Sequence, residues 1–214
     1  MVVSSWGAGV RGLWDGEAMV SPPDLSPAAQ RLRDVVRHVS DAQLNHPTPC
    51  EGRTVAQLLA HLSGLTAAFR AAADKELGPL TDTTPDQNGW PEPASTWRDD
   101  IPAQADRLAI AWHDPEAWTG MTRAGGFDAP AEVMGLVALG EITFHAWDLA
   151  TATGQELEVD DATTDALTAY VEGFDPSGTP GMFGPAVDTR WPTPFERVIA
   201  RTGRDPRWQA PETA

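Results

Sequence analysis

Residues 129–154 read APAEVMGLVALGEITFHAWDLATATG, and this stretch decides the fold. It is the longest and most apolar helical segment of the chain, expected to run from about Ala129 to Thr153 with Gly154 as its stop. Within it, Glu141 and His145 stand four residues apart, so they stack on one helical face about a turn from each other. That face continues through Met134, Ala138 and Asp148. A glutamate inside so apolar a segment is costly to bury unless something positive meets it. A divalent cation would do so, and would also use the neutral imidazole of His145. The same spacing serves an ordinary hydrogen-bonded Glu–His pair, and spacing alone does not separate the two readings.

Working outward, a helix is expected over about Ser26 to Ser40, with Pro27 in its first turn and Leu32, Val35, Val36 and Val39 as its apolar stripe. A turn-rich stretch, Asn45 to Gly52, follows. Thr54 and Gln57 have capping-box spacing and open a second helix, whose stripe is Val55, Leu58, Leu59, Leu62, Leu65 and Phe69 and whose end is placed near Glu76. Residues 78–94, rich in Pro, Thr and Asp, read as a loop. A third long helix fits Thr96 to His113, carrying Trp97, Ile101, Leu108 and Trp112. Residues 114–128, with Gly120, Gly125 and Gly126, read as an irregular crossover with room for a short extended piece. Beyond the quoted stretch, helices are expected at about Asp161 to Glu172 and Pro194 to Arg201, separated by a Gly- and Pro-laden segment. Four long amphipathic helices, one long connection and short C-terminal helices describe an all-α, four-helix bundle with a crossover. The expected division is a flexible leader over 1–23, one bundle over 24–208 and a polar tail over 209–214.

Composition narrows the partners. The 15 Lys and Arg against 31 Asp and Glu give a formal net charge of −16. Such a surface repels phosphate backbones and anionic lipid, so neither nucleic acid nor a membrane is expected as partner. No uninterrupted apolar run approaches the roughly 20 residues that span a bilayer. The first 20 residues lack the basic start and continuous apolar core of a secretory signal. Cys50 is the single cysteine, which rules out an intrachain disulfide and fits a reducing compartment, the cytoplasm. Oligomeric state is not legible.

The second long helix carries His61 on the flank of its stripe, beside Leu58 and Leu65. Alone, a histidine there is an ordinary boundary residue. Together with Glu141 and His145 it gives three candidate ligands from two helices, which leaves a coordination position for water or substrate, the pattern of catalytic rather than structural zinc. Asp148, three residues beyond His145, can either hydrogen-bond that histidine as an outer carboxylate or pair elsewhere. Cys50, before a helix start and without a partner, reads as a bland boundary thiol. His38, His46 and His113 fall at a helix end or in loops and are assigned no chemistry. Trp97, Trp112 and Trp147 are expected in the core, Trp147 with the option of lining a pocket. No phosphate-cradling glycine motif or nucleophile elbow occurs.

Two segments carry a family resemblance. Thr48-Pro49-Cys50-Glu51-Gly52-Arg53-Thr54-Val55 running into Leu58-Leu59-Ala60-His61-Leu62, and Gly135 to Glu141 leading to His145-Ala146-Trp147-Asp148-Leu149-Ala150, resemble the two signatures of the actinobacterial mycothiol-dependent maleylpyruvate isomerase family, within the DinB-like four-helix superfamily. Phe183-Gly184-Pro185 and Thr202-Gly203-Arg204-Asp205-Pro206-Arg207-Trp208 are similar to a single-domain, metal-binding branch. The resemblance spans about residues 24 to 208. It implies that His61, Glu141 and His145 coordinate zinc or another divalent metal, that mycothiol serves as cofactor, and that a metal-activated thiolate attacks small electrophilic substrates. Arg53 stands where relatives usually have tryptophan. The isomerase proper has a further C-terminal domain for which 214 residues leave no room, so a related thiol-dependent transfer or isomerisation is the expectation. The alternatives are a DinB-like metal-binding protein without turnover and a metal-assisted hydrolase.

Overall fold

The computed structural model describes residues 21–84, 91–187, 190 and 192–210; residues 1–20 of the expected leader over 1–23 and residues 211–214 of the tail lie outside these. Helix α1, Ser26–Arg37, starts on Pro27 and buries Leu32, Val35 and Val36. It stops three residues short of the expected Ser40, although Val39 still reaches the core. Helix α2, Val55–Ala73, opens as its cap predicts. Thr54 Oγ1 accepts from the Gln57 amide at 3.3 Å, and Gln57 Oε1 accepts from the Thr54 amide at 3.1 Å. Two otherwise orphaned first-turn donors are thereby satisfied.

Among its described residues, the loop expected over 78–94 contains a helical turn, α3, Pro79–Asp82. Its signal is local: Pro79 pre-sets the first φ, and Thr81 Oγ1 accepts from the Gly78 amide at 2.9 Å. Helix α4 spans Trp97–Trp112. The expected irregular crossover is ordered as a 3-10 turn, Pro115–Trp118, and a hairpin of β1, Met121–Ala124, and β2, Phe127–Pro130. The strands pair antiparallel with Met121 opposite Pro130 and Ala124 opposite Phe127. Gly125 (φ 60°) and Gly126 (φ 78°) form the two-residue turn, whose two positive φ values suit the right-handed twist of the strands and favour glycine. Helix α5 runs Ala131–Thr153 and ends on Gly154 at φ 71°, a left-handed stop. Helices α6, Asp161–Glu172, and α7, Pro194–Arg201, complete the described chain.

Four long helices carry the core. Both α1 and α2 pack against α4 and against α5, so the pairs α1–α2 and α4–α5 face each other across diagonals. The apolar stripes of α1, α2 and α4 meet α5, which is buried nearly all round. By length and composition α5 could cross a membrane, but its most apolar part is 83% buried inside the molecule. It is the core helix of the bundle, and Glu141, His145 and Asp148 interrupt its apolar run. Trp97 and Trp112 are core residues, as expected.

One close approach fixes how the 3-10 turn seats on α5. The ring of Trp118 stacks edge-on against Trp112, centroids 4.9 Å apart, and its indole N–H donates to the Trp112 carbonyl at 2.7 Å. Both rings press on Gly135, where a Cβ would lie 2.3 Å from the Trp118 ring and 2.9 Å from that of Trp112. Gly135→Ala is therefore expected to lower unfolding stability by about 1–3 kcal/mol through overpacking. The readout is a lower urea midpoint with an unchanged slope, and a neutral effect would show the two indoles free to shift.

Candidate metal centre

Three segments distant in sequence meet on the inner face of α5. Helix α2 contributes His61, α5 contributes Glu141, His145 and Asp148, and the turn after α7 contributes Arg204. The i, i+4 relation brings His145 Nε2 to 3.2 Å from Glu141 Oε2, and His61 Nε2 comes to 3.6 Å from the same oxygen. The two imidazoles stand edge to face, 5.0 Å apart at 88°. One ligand atom from each of His61, Glu141 and His145 lies within 4.8 Å of the other two. A nitrogen–nitrogen–carboxylate donor set with this convergence fits zinc or another borderline divalent ion. The three residues singled out from the sequence are thus brought together.

Behind them the structure supplies a second layer. His145 Nδ1 donates to Asp148 Oδ2 at 2.9 Å, which fixes the tautomer and leaves Nε2 facing Glu141 and His61. Asp148 is fully buried, and its charge is met by the Arg204 guanidinium through a two-point pair. Nε donates to Oδ1 and Nη2 donates to Oδ2, each at 2.9 Å, while Nη1 donates to Thr202 Oγ1 at 3.1 Å. Arg204 arrives through Gly203 (φ 87°), whose α-carbon lies so close to Gly184 that a Cβ would sit 2.8 Å from that glycine. Both readings open for Asp148 are realised together, since it accepts from His145 and pairs with Arg204. Nothing in the residues around Arg204 names its role. Its partner lies 56 residues away, and only its place in the Thr202-Gly203-Arg204 segment marked it.

Electrostatics follow from this arrangement. Burial by itself would raise the Glu141 carboxyl, but the hydrogen-bonding imidazoles of His145 and His61 hold it far below the usual carboxylate range. Burial would likewise depress His145, yet Asp148 and Glu141 on its two nitrogens push it up to about 9. Burial pushes the Cys50 thiol up to about 11, with Asp148 and Glu141 adding to it. Cys50 is therefore a protonated thiol, as a boundary cysteine should be, although it does line the cavity described next and sits within 4.8 Å of His145 and Asp148 ligand atoms.

The triad opens on a cavity of about 510 Å³. Its far side is built by α3 and the hairpin, which are clasped together. Arg123 donates to Asp82 at 2.9 Å and to Asp128 at 3.0 Å, and the Gly126 amide donates to the Thr81 carbonyl at 2.8 Å. Trp147 packs against the core and is not among the lining residues. His38, His46 and His113 lie outside the cavity wall, as the sequence implied.

Residues 25–150 match the family described as mycothiol maleylpyruvate isomerase N-terminal domain, and they include every member of the His61, Glu141, His145 and Asp148 cluster. The chain belongs to this family. Crystal structures of the mycothiol-dependent maleylpyruvate isomerase and of a histidine-to-alanine mutant of it superpose with TM-scores of 0.51 and 0.52. In both cases identity is 20% over 69% of this chain and 68% of the other. No curated protein matches. At that identity the superposition establishes a shared fold, the all-α DinB-like architecture that the sequence pointed to.

Two outcomes are expected. Asp148→Ala strands the Arg204 guanidinium in the interior and should cost about 3–5 kcal/mol of stability in denaturant unfolding. In metal-free protein the His145 proton, held in the folded state up to about 9 against roughly 6.5 in the unfolded chain, stabilises the fold fully below that lower value and ceases to as pH rises through 9. A metal must displace that proton, so affinity should climb with pH between about 7 and 9, above the ordinary histidine range. A histidine resonance titrating near 9 checks the first part, and competition titrations with a chelator check the second; affinity flat over that window would contradict the assignment.

Proposed function

We propose that this protein binds one divalent metal ion, zinc by preference, on His61, Glu141 and His145, and uses mycothiol to isomerise or transfer small electrophilic substrates. The observation that carries the reading is the approach of two imidazole Nε2 atoms to one carboxylate oxygen at the inner end of a cavity. Family membership supports the thiol: the solved relatives are described as mycothiol-dependent. The functional unit is taken as residues 24–208, since Arg204 belongs to the cluster.

Each side chain has a definite task. Glu141 brings the negative charge and the two histidines bring neutral nitrogen donors. Asp148 orients His145, and Arg204 holds Asp148 ionised inside the protein. When bound, the ion supplies a positive charge that lowers the pKa of a thiol in its open position. The cavity keeps bulk water from the reacting pair and confines the electrophile next to the sulfur. In isomerisation the thiol sulfur adds to a conjugated carbon, the former double bond rotates, and expulsion of the same thiol restores the unsaturation. In transfer by addition, the carbon that receives the electron pair takes up a proton and the thioether is the product; in transfer by substitution, the bond to a leaving group breaks and that group departs with its electron pair. Cys50, protonated and half-buried, is not the nucleophile.

Purified protein reloaded with zinc is expected to hold one ion per chain by elemental analysis. Alanine at His61, Glu141 or His145 should each abolish stoichiometric retention while leaving the helical circular dichroism intact, and Asp148→Asn should weaken affinity by about 10–100-fold. Calorimetry should then detect mycothiol binding to the zinc form of Cys50→Ala as well as to the parent. Retention indifferent to His61→Ala would remove α2 from the site. Metal without thiol affinity would favour a hydrolase or a protein without turnover.

A further inference from the structure

The cavity wall has two chemically different halves. The charged side chains that line it among the described residues are His61, Glu141, His145 and Arg204, and all four belong to the cluster at one end. The rest of the wall is mostly apolar: its polar side chains are Cys50, Thr83, whose hydroxyl donates to the Pro79 carbonyl at 2.7 Å, and Thr84, and its apolar part comes from four separate segments, Leu65 and Phe69 of α2, Leu80 of α3, Phe127 of β2 and Phe183 of the loop before α7. Neither lysine nor a further arginine faces the cavity within the described residues. Arg204 is already engaged, with two nitrogens on Asp148 and the third on Thr202, and its guanidinium lies 5.6 Å from the Phe144 ring.

A charge ledger makes the consequence plain. With neutral imidazoles, Glu141 and Asp148 contribute two negative charges, Arg204 one positive and a divalent ion two, which leaves a single positive unit. A bound thiolate consumes it. No cationic group then remains on the described wall to receive a substrate carboxylate, and an ionised carboxylate moved into the mostly apolar half would meet threonine hydroxyls at best and lose most of its hydration. A cavity of about 510 Å³ lies within the usual range of ligand pockets, roughly 300–1,000 Å³.

We infer that the electrophile taken by this site is uncharged and largely apolar, an aryl or alkyl compound with its reactive carbon at the His61–Glu141–His145 end, rather than a dicarboxylate of the maleylpyruvate type. This rests on the thiol- and metal-dependent reading above and adds the substrate class to it. The apolar half receives the hydrocarbon body by ordinary burial of apolar surface, and the thiol sulfur meets the one polar end. Ala68, half-buried on α2 and part of the wall, lies among these apolar residues and controls the room available.

The test uses unreactive probes on the full chain. Isothermal titration compares 4-phenylbutan-2-one, which is neutral, with phenylsuccinate, which carries the same ring and two carboxylates. Both are titrated into metal-free protein and into protein saturated with zinc and mycothiol. The ketone should bind at least tenfold more tightly than the dianion in both forms. Ala68→Trp should weaken the ketone at least tenfold with zinc stoichiometry unchanged, and Ala68→Arg, which supplies a cation, should move the preference towards the dianion. Equal or tighter binding of phenylsuccinate by the parent protein overturns the inference, as does ketone affinity unaltered in folded Ala68→Trp. Should a variant fail to fold, the comparison in the parent decides. Zinc uptake and mycothiol affinity, measured on the same preparations, report separately on the metal and thiol reading, because the metal-free comparison depends on neither.

Discussion

An ionised carboxylate buried in an apolar helix is the constraint on which the rest of this structure turns. Asp148 has no exposed surface, and an unpaired charge there would be prohibitive. Two side chains answer it from opposite directions. His145 lies a turn back on the same helix, and Arg204 comes from the far end of the chain. The histidine is thereby locked with one nitrogen turned to Asp148 and the other to Glu141. The C-terminal turn is locked too, because Arg204 can reach Asp148 only if Gly203 slides against Gly184 without a side chain in between. A local requirement for charge balance thus decides the conformation of a segment that contributes little to the main core.

Much of this was legible in the sequence, for reasons that belong to particular residues. Helix α2 announced its start because Thr54 and Gln57 satisfy each other's amides within four residues, and α5 announced its end because Gly154 must take a left-handed φ. The ligand cluster was legible because Glu141 and His145 share a face by helical period alone, and because their cost of burial called for a counter-charge. His61 needed the family resemblance, since a histidine beside an apolar stripe has no distinguishing period of its own. What stayed hidden depended on contacts across the fold. The α3 turn is held by the hairpin through Arg123 and Gly126, and nothing in residues 79–82 alone names those partners. The short extended piece expected in the crossover is half of this hairpin, whose Gly125-Gly126 pair is a recognisable two-residue turn. Arg204 carried no signal beyond its neighbours, because its meaning lies in a pairing 56 residues away.

The division of the cavity into a charged end and an apolar body follows from the same economy of charge. The charged side chains on its wall and the buried Asp148 hold one another, which leaves the outer wall mostly apolar.

The diagonal placement of consecutive long helices bears on how the chain reaches this state. Helices α1 and α2 follow each other along the chain yet pack against α4 and α5 instead, and the sequence neighbours α4 and α5 again face across a diagonal. Of the chain-adjacent long pairs, only α2 and α4 pack extensively, and they are joined by the long connection over 74–96; α4 and α5 meet where Trp112 presses on Gly135. No tight helical hairpin of the up-and-down kind is available as a nucleus, and most interhelical contacts close large loops. Contact order is correspondingly high for an all-helical protein, and its folding should be slower than that of an up-and-down bundle of similar length. The closure that joins Arg204 to Asp148 spans 56 residues, so a ribosome must release the chain through Arg204 before the support of His145 can form.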